Sequence, residues 1–266
     1  MKEKKFDAND PALAVDLSEA TQAVKENRFE DALMLFEVIL SDHPDHIDSL
    51  YLASVSSRYL KKFDDSKKYI ERLLQNAPDM GRAYQELGHI NRDLGNEEKA
   101  VTHYRQACEL NPALMASWNA LYKYFVKNKN QPAVDHARQQ IEKLQSLPAA
   151  LLYIDQILNE GRLGLAETKC RAFLKQNPTH PYAMSLLSEI ANRLGYFDDA
   201  EFLLEKAVEF EPNDGDLRMQ YAAILRKKQK FTKTMEQVNI LCDQYPENLI
   251  YQSQKASEIM QNGDHE

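Results

Sequence analysis

Apolar and small residues recur every three or four positions along nearly the whole chain, in stretches of roughly 13 residues, the spacing of an amphipathic helix. The segment from Gly81 to Pro112 shows the unit most clearly. Tyr84, Leu87, Gly88 and Asn91 share one helical face. Gly95 then interrupts the pattern, as a turn residue does. Ala100, Tyr104 and Ala107 share a face of a second helix, and Pro112 stops it. The pattern predicts two helices packed as a hairpin, each spanning roughly 20 Å.

The prolines show that this unit recurs. Pro44, Pro78 and Pro112 are 34 residues apart, and so are Pro178, Pro212 and Pro246. Pro112 and Pro178 are 66 apart, two short of two units. On this ruler residues 1–12 are a lead-in. Repeats follow at 13–46, 47–80, 81–114, 115–146, 147–180, 181–214 and 215–248, with a half-repeat at 249–266. The shortened fourth unit has Lys127-Asn-Lys-Asn-Gln131 where others carry a Gly turn, and Pro132 then opens its second helix. The half-repeat ends where a second helix is expected to start, so the chain is expected to be a fragment of a longer one.

A lone helix of this length is marginal in water, and one hairpin cannot bury enough apolar surface to offset its chain entropy. Stacked hairpins can. Ala20, Gly88 and Ala222 are small enough to let paired helices approach, as are Ala32, Ala100, Ala166 and Ala200 on the second helices. Tyr84, Tyr104, Phe36 and Leu204 fill the gaps between units. The expected fold class is therefore all-α, a solenoid of seven helix pairs and a final half-repeat.

Composition narrows the function. The eight Gly are scattered, so no loop can cradle a phosphate. The net charge of −8 argues against nucleic acid as a partner. No apolar run reaches about 18 residues, so no membrane span is expected, and the N-terminus lacks a signal-peptide pattern. Cys108, Cys170 and Cys242 have no metal-site spacing and are expected to be buried thiols in a reducing cytoplasm. His43-Pro-Asp-His46 has a spacing that zinc would accept, but it lies in a connector with no further ligand near, so neither a metal nor any cofactor is expected. Glu97-Glu98, Asp64-Asp65 and Asp198-Asp199 open second helices, where they are expected to cap N–H groups and complement the helix dipole. No catalytic constellation falls in register.

An aromatic, Leu-Gly, Ala-x3-aromatic and Pro in a 34-residue unit resemble the tetratricopeptide repeat (TPR) over residues 13–266. The resemblance implies a right-handed superhelix whose first helices line a concave, protein- or peptide-binding face. It also implies that positions two, five, nine, twelve and thirteen of each unit point to that face. In repeats two to four these include Arg58, Tyr59, Arg82, Gln85, His89, Arg92, Asn119, Lys123 and Lys127, with Asp93 the one acid counted in repeats three and four. The candidate partner-binding residues are Arg58, Arg82, Gln85, His89, Arg92, Asn119 and Lys123. Such a strip suits an acidic peptide or a terminal carboxylate. The family's carboxylate clamp is incomplete, because Ala120, Pro148 and Leu152 stand where its residues are sought. In later repeats Leu151, Leu158 and Met219 either form an apolar groove or pack against neighbours. More narrowly, Pro78–Gly95 and Leu187–Val208 resemble bacterial TPR–sulfotransferase proteins, which implies a recruiting arm ahead of a domain using the sulfuryl donor PAPS. Exposed apolar surface at the array's end also suits self-association as a homodimer.

Overall fold

The structure is a computed structural model that describes residues 11–262, and every regular element among them is an α-helix. The helices are α1 (Pro11–Lys25), α2 (Phe29–Asp42), α3 (Ile47–Tyr59), α4 (Phe63–Asn76), α5 (Gly81–Asp93), α6 (Glu97–Leu110), α7 (Met115–Lys127), α8 (Gln131–Gln145), α9 (Ala149–Asn159), α10 (Leu163–Gln176), α11 (Pro181–Leu194), α12 (Phe197–Phe210), α13 (Gly215–Lys227), α14 (Phe231–Gln244) and α15 (Leu249–Asn262). They form seven hairpins and a last single helix, an α-solenoid. The chain divides into two compact units at Leu147/Pro148, where the shortened repeat ends.

In the first unit the pairs α1/α2 to α7/α8 stack in chain order. The first helices α1, α3, α5 and α7 also meet their successors directly, so they form the crowded inner layer of this stack. In the second unit α9/α10, α11/α12 and α13/α14 stack likewise, α15 packs on α14, and α11 touches both α9 and α13.

Small residues set the spacing within each hairpin. A Cβ on Gly88 would stand 2.5 Å from Tyr104 Cε1, so only glycine fits beneath that ring. Ala20 and Ala222 are fully buried at the equivalent place. Ser54 fills it in the second repeat and pairs its hydroxyl with Ser66 at 2.9 Å, which satisfies a polar atom in the core. Phe36, Ile70, Leu73, Ile90, Leu121, Ile154, Ile190 and Leu204 fill the spaces between these close approaches.

The turns inside the hairpins share one backbone device. Asn27, Lys61, Gly95 and Lys129 all have positive φ (59°, 61°, 79° and 53°), and so do Gly161, Gly195 and Gln229 (75°, 85° and 58°). Lys129 thus does the work of the missing glycine in the fourth repeat. Asn130 caps α8 by accepting from Ala133 N at 3.4 Å, with Pro132 in the first turn.

The paired acids differ from expectation. They lie inside the first turns of α4, α6 and α12, and the capping residues Lys62, Asn96 and Tyr196 make no side-chain cap. The acids complement the helix dipole and reach across repeats: Glu97 meets Lys127 at 2.6 Å, and Asp198 pairs with Lys228.

Candidate binding face

The seven residues singled out from sequence all lie on α3, α5 and α7 of the first unit. Arg58 is buried. Its Nε donates to Glu86 Oε1 at 2.6 Å and its Nη1 meets Asp93 at 3.3 Å. Burial opposes the charge on this guanidinium, but the adjacent Glu86 carboxylate wins and holds its pKa above the ordinary value. The same guanidinium lies 4.5 Å over the Tyr59 ring, which stacks on Phe29 at 4.3 Å. Arg58 therefore ties α3 to α5 and is not an open contact group.

Three more residues sit in seams. Arg82 is 3.6 Å from Asp48 and 4.5 Å over the Tyr51 ring. Gln85 Oε1 accepts from Ser117 Oγ at 3.0 Å and so joins α5 to α7. His89 Nδ1 and the Tyr104 hydroxyl share a hydrogen bond of 2.8 Å. Burial first, then the charges of Arg58 and Arg92, push the His89 pKa down to about 4, so its ring is neutral at pH 7. Burial likewise raises the Tyr104 hydroxyl to about 12.

Arg92, Asn119 and Lys123 form the open part of the strip. Arg92 bonds Asp93 through Nη2 at 2.8 Å and Nε at 3.0 Å. Asn119 is exposed and donates to its own helix at Met115 O. Lys123 makes no hydrogen bond or ion pair among the described residues. Thus Arg58 and Arg92 share the single carboxylate of Asp93, and Lys123 carries an unshared charge.

The second unit has a face that the mixed residue types of its repeats left illegible. A groove of about 350 Å³ runs between α9, α11 and α13. The Tyr182 hydroxyl donates to Asp155 at 2.6 Å, Ser185 to Gln220 at 2.7 Å, and Arg193 to Glu189 at 2.7 Å. Its polar groups are largely paired with one another. Leu151 and Leu158 belong to the core cluster beneath, Leu158 also lines the groove, and Met219 is half-buried.

The chemistry weighed from sequence resolves into structure. His46 caps α3, accepting from Ser49 N at 3.2 Å. No cluster of three or more metal-ligating side chains occurs among the described residues. All three cysteines are buried; burial lifts the Cys108 thiol to about 12 and Cys170 to about 11, far from thiolate chemistry. No described helix is long and apolar enough to cross a membrane.

Residues 81–114 and 181–214 each match the tetratricopeptide repeat family. Two of the hairpin units thus match that repeat, and the described residues form an α-solenoid of helix hairpins. Among solved structures it is similar to Naa15/Naa10 bound to HypK-THB, at 17% identity and TM-score 0.45, covering 93% of this chain and 39% of that one. It is also similar to a thermophilic TPR protein of Thermus thermophilus, at 17% identity, TM-score 0.36 and 93% and 99% coverage. A TPR protein from Parabacteroides merdae aligns at 10% identity, TM-score 0.44 and 94% and 100% coverage. No curated protein matches the chain. The family that matches is the repeat alone, and it lends no support to the sulfotransferase resemblance.

Proposed function

We propose that the chain is a non-catalytic scaffold that binds an acidic peptide or protein segment on the inner layer of its first unit. Arg92, Asn119 and Lys123 make the primary contacts, and Arg82, Gln85 and His89 shape the seam beside them. Arg58 acts from below by holding α3 and α5 in register. The observation that carries this reading is Lys123, an exposed cation with no partner among the described residues, on α7, which meets the α5 helix that carries Arg92. Stacking requires neither residue. A carboxylate there gains charge-assisted hydrogen bonds without displacing a buried pair.

The test is fluorescence anisotropy with matched acidic, neutral and basic peptides, on the wild type and on the double variant Arg92→Glu/Lys123→Glu. The acidic peptide is expected to bind best and to lose about tenfold or more in affinity with the double variant. Equal affinities in both proteins would contradict the proposal. The other reading, a recruiting arm for a PAPS-dependent domain, is motivated by the resemblance at Pro78–Gly95 and Leu187–Val208. Sequencing the gene past Glu266 tests it: a strand, Gly-rich loop and helix downstream would support it, and further repeats followed by a stop would contradict it.

A further inference from the structure

Three of the second helices carry aspartate as their third residue: Asp31 in α2, Asp65 in α4 and Asp199 in α12. In the first two the hairpin supplies the countercharge itself. Arg28, three residues before Asp31, meets it at 2.7 Å, and Lys68, three residues after Asp65, meets it at 3.0 Å. In α12 both of those places hold aromatic rings, Tyr196 before Asp199 and Phe202 after it. The side chain of Asp199 makes no hydrogen bond or ion pair among the described residues. Tyr196 also departs from the residue types usual at its place. The residue preceding the second helix is Arg28, Lys62, Asn96, Asn130, Arg162 or Lys230 in the other hairpins. Both rings are open to solvent, Tyr196 at 61% and Phe202 at 58%, so stacking requires neither.

Tyr196, Asp199 and Phe202 line one cleft of about 240 Å³ between α10, α11 and α12, whose apolar lining includes the buried Leu187 and Ile190. The other two charges in the cleft cancel, because Arg171 Nε donates to Glu167 Oε1 at 2.8 Å. Asp199 therefore leaves the cleft with one net negative charge beside two aromatic rings. The carboxylate attracts a cation by its charge, and the face of each ring attracts it through the ring quadrupole. We propose that this cleft docks an arginine or lysine side chain of a partner protein. The aliphatic stem lies along Tyr196 and Phe202, and the charged head meets Asp199. The first and second hairpins make the same contact with a cation of their own, and the sixth takes it from outside. The site lies wholly in the second unit and selects a charge opposite to that of the acidic ligand proposed for α5 and α7.

NMR titration of the methyl-labelled 266-residue chain tests the proposal. The probe is a short peptide with one arginine among small neutral residues, compared with the same peptide carrying citrulline, the uncharged isostere. The arginine peptide is expected to shift the Leu187, Ile190 and Leu194 methyl signals saturably, with a dissociation constant on the order of 1 mM. The citrulline peptide is expected to bind at least about fivefold more weakly. Tyr196→Arg and Phe202→Lys give α12 the countercharge that α2 and α4 carry. Each is expected to abolish the shifts, with an unchanged helical circular dichroism spectrum because both side chains are exposed. Equal affinity for the citrulline peptide overturns the proposal, since the cleft is then a merely apolar one. So does binding that survives both variants, and so do shifts confined to residues outside the cleft. Absence of any shift up to about 20 mM arginine peptide overturns it as well.

Discussion

Gly88 and Tyr104 show how narrow the tolerance is at one contact. The aromatic ring rests where a glycine Cβ would be, 2.5 Å from Cε1, so a larger side chain must displace the ring and its bond to His89. Gly88→Leu is expected to lower stability by about 3 kcal/mol, at the upper end of ordinary overpacking costs, read from the midpoint of urea unfolding. His89 makes a pH-dependent contribution. Its folded pKa lies near 4, below the unfolded value near 6.5. The unfolded chain therefore takes up the proton first as pH falls. The associated stability is complete above about pH 6.5 and drains away toward pH 4. Between pH 7 and about pH 4.5 the wild type is expected to lose about 2 kcal/mol more than His89→Gln, in urea titrations at each pH. Equal losses would mean that the ring is solvated.

At the scale of the element, the turn inside each hairpin repeats one left-handed residue. Three repeats use Gly there, while Asn27, Lys61, Lys129 and Gln229 hold positive φ with a Cβ. A non-Gly residue in this region is strained by roughly 1–2 kcal/mol, offset in part by the greater unfolded entropy of glycine. Lys129→Gly is expected to raise stability by about 0.5–1 kcal/mol, measured as a higher urea midpoint with an unchanged slope. Lower stability would show that its side chain contributes more than its backbone costs. These turns also explain what was legible beforehand. The helices could be read because Gly88, Ala100 and their counterparts carry a repeated steric requirement. The turn of the fourth repeat was legible at Lys127–Gln131, but not which residue in it is left-handed, because Lys129 carries no preference for positive φ. The acids at the second-helix starts read in the sequence as caps and dipole partners, yet they lie one to three residues past the capping position, in the first turn, where they complement the dipole without capping.

On the scale of the molecule, the repeat separates two kinds of residue. Stacking positions follow one rule in both units, so the fold could be read from spacing alone. The binding face follows no rule of its own. Arg58 occupied an open position in the pattern, but Glu86, at a position not counted as facing inward, draws it into the interior. Asp93 takes up Arg92 as well, and the net strip is narrower than the pattern suggested. Lys123 and Asn119 keep the exposure that their positions imply. In the second unit the inner residues pair with each other, and only coordinates could show that.

The proposed scaffold holds its ligand along the inner layer of the first unit. Photo-crosslinking tests it most directly: an acidic peptide bearing a photoreactive group at either end is bound, irradiated and mapped by mass spectrometry. Crosslinks within 81–93 and 115–127, on α5 and α7, are the predicted result. Crosslinks confined to α6 and α8, or to residues 148–262, would contradict it.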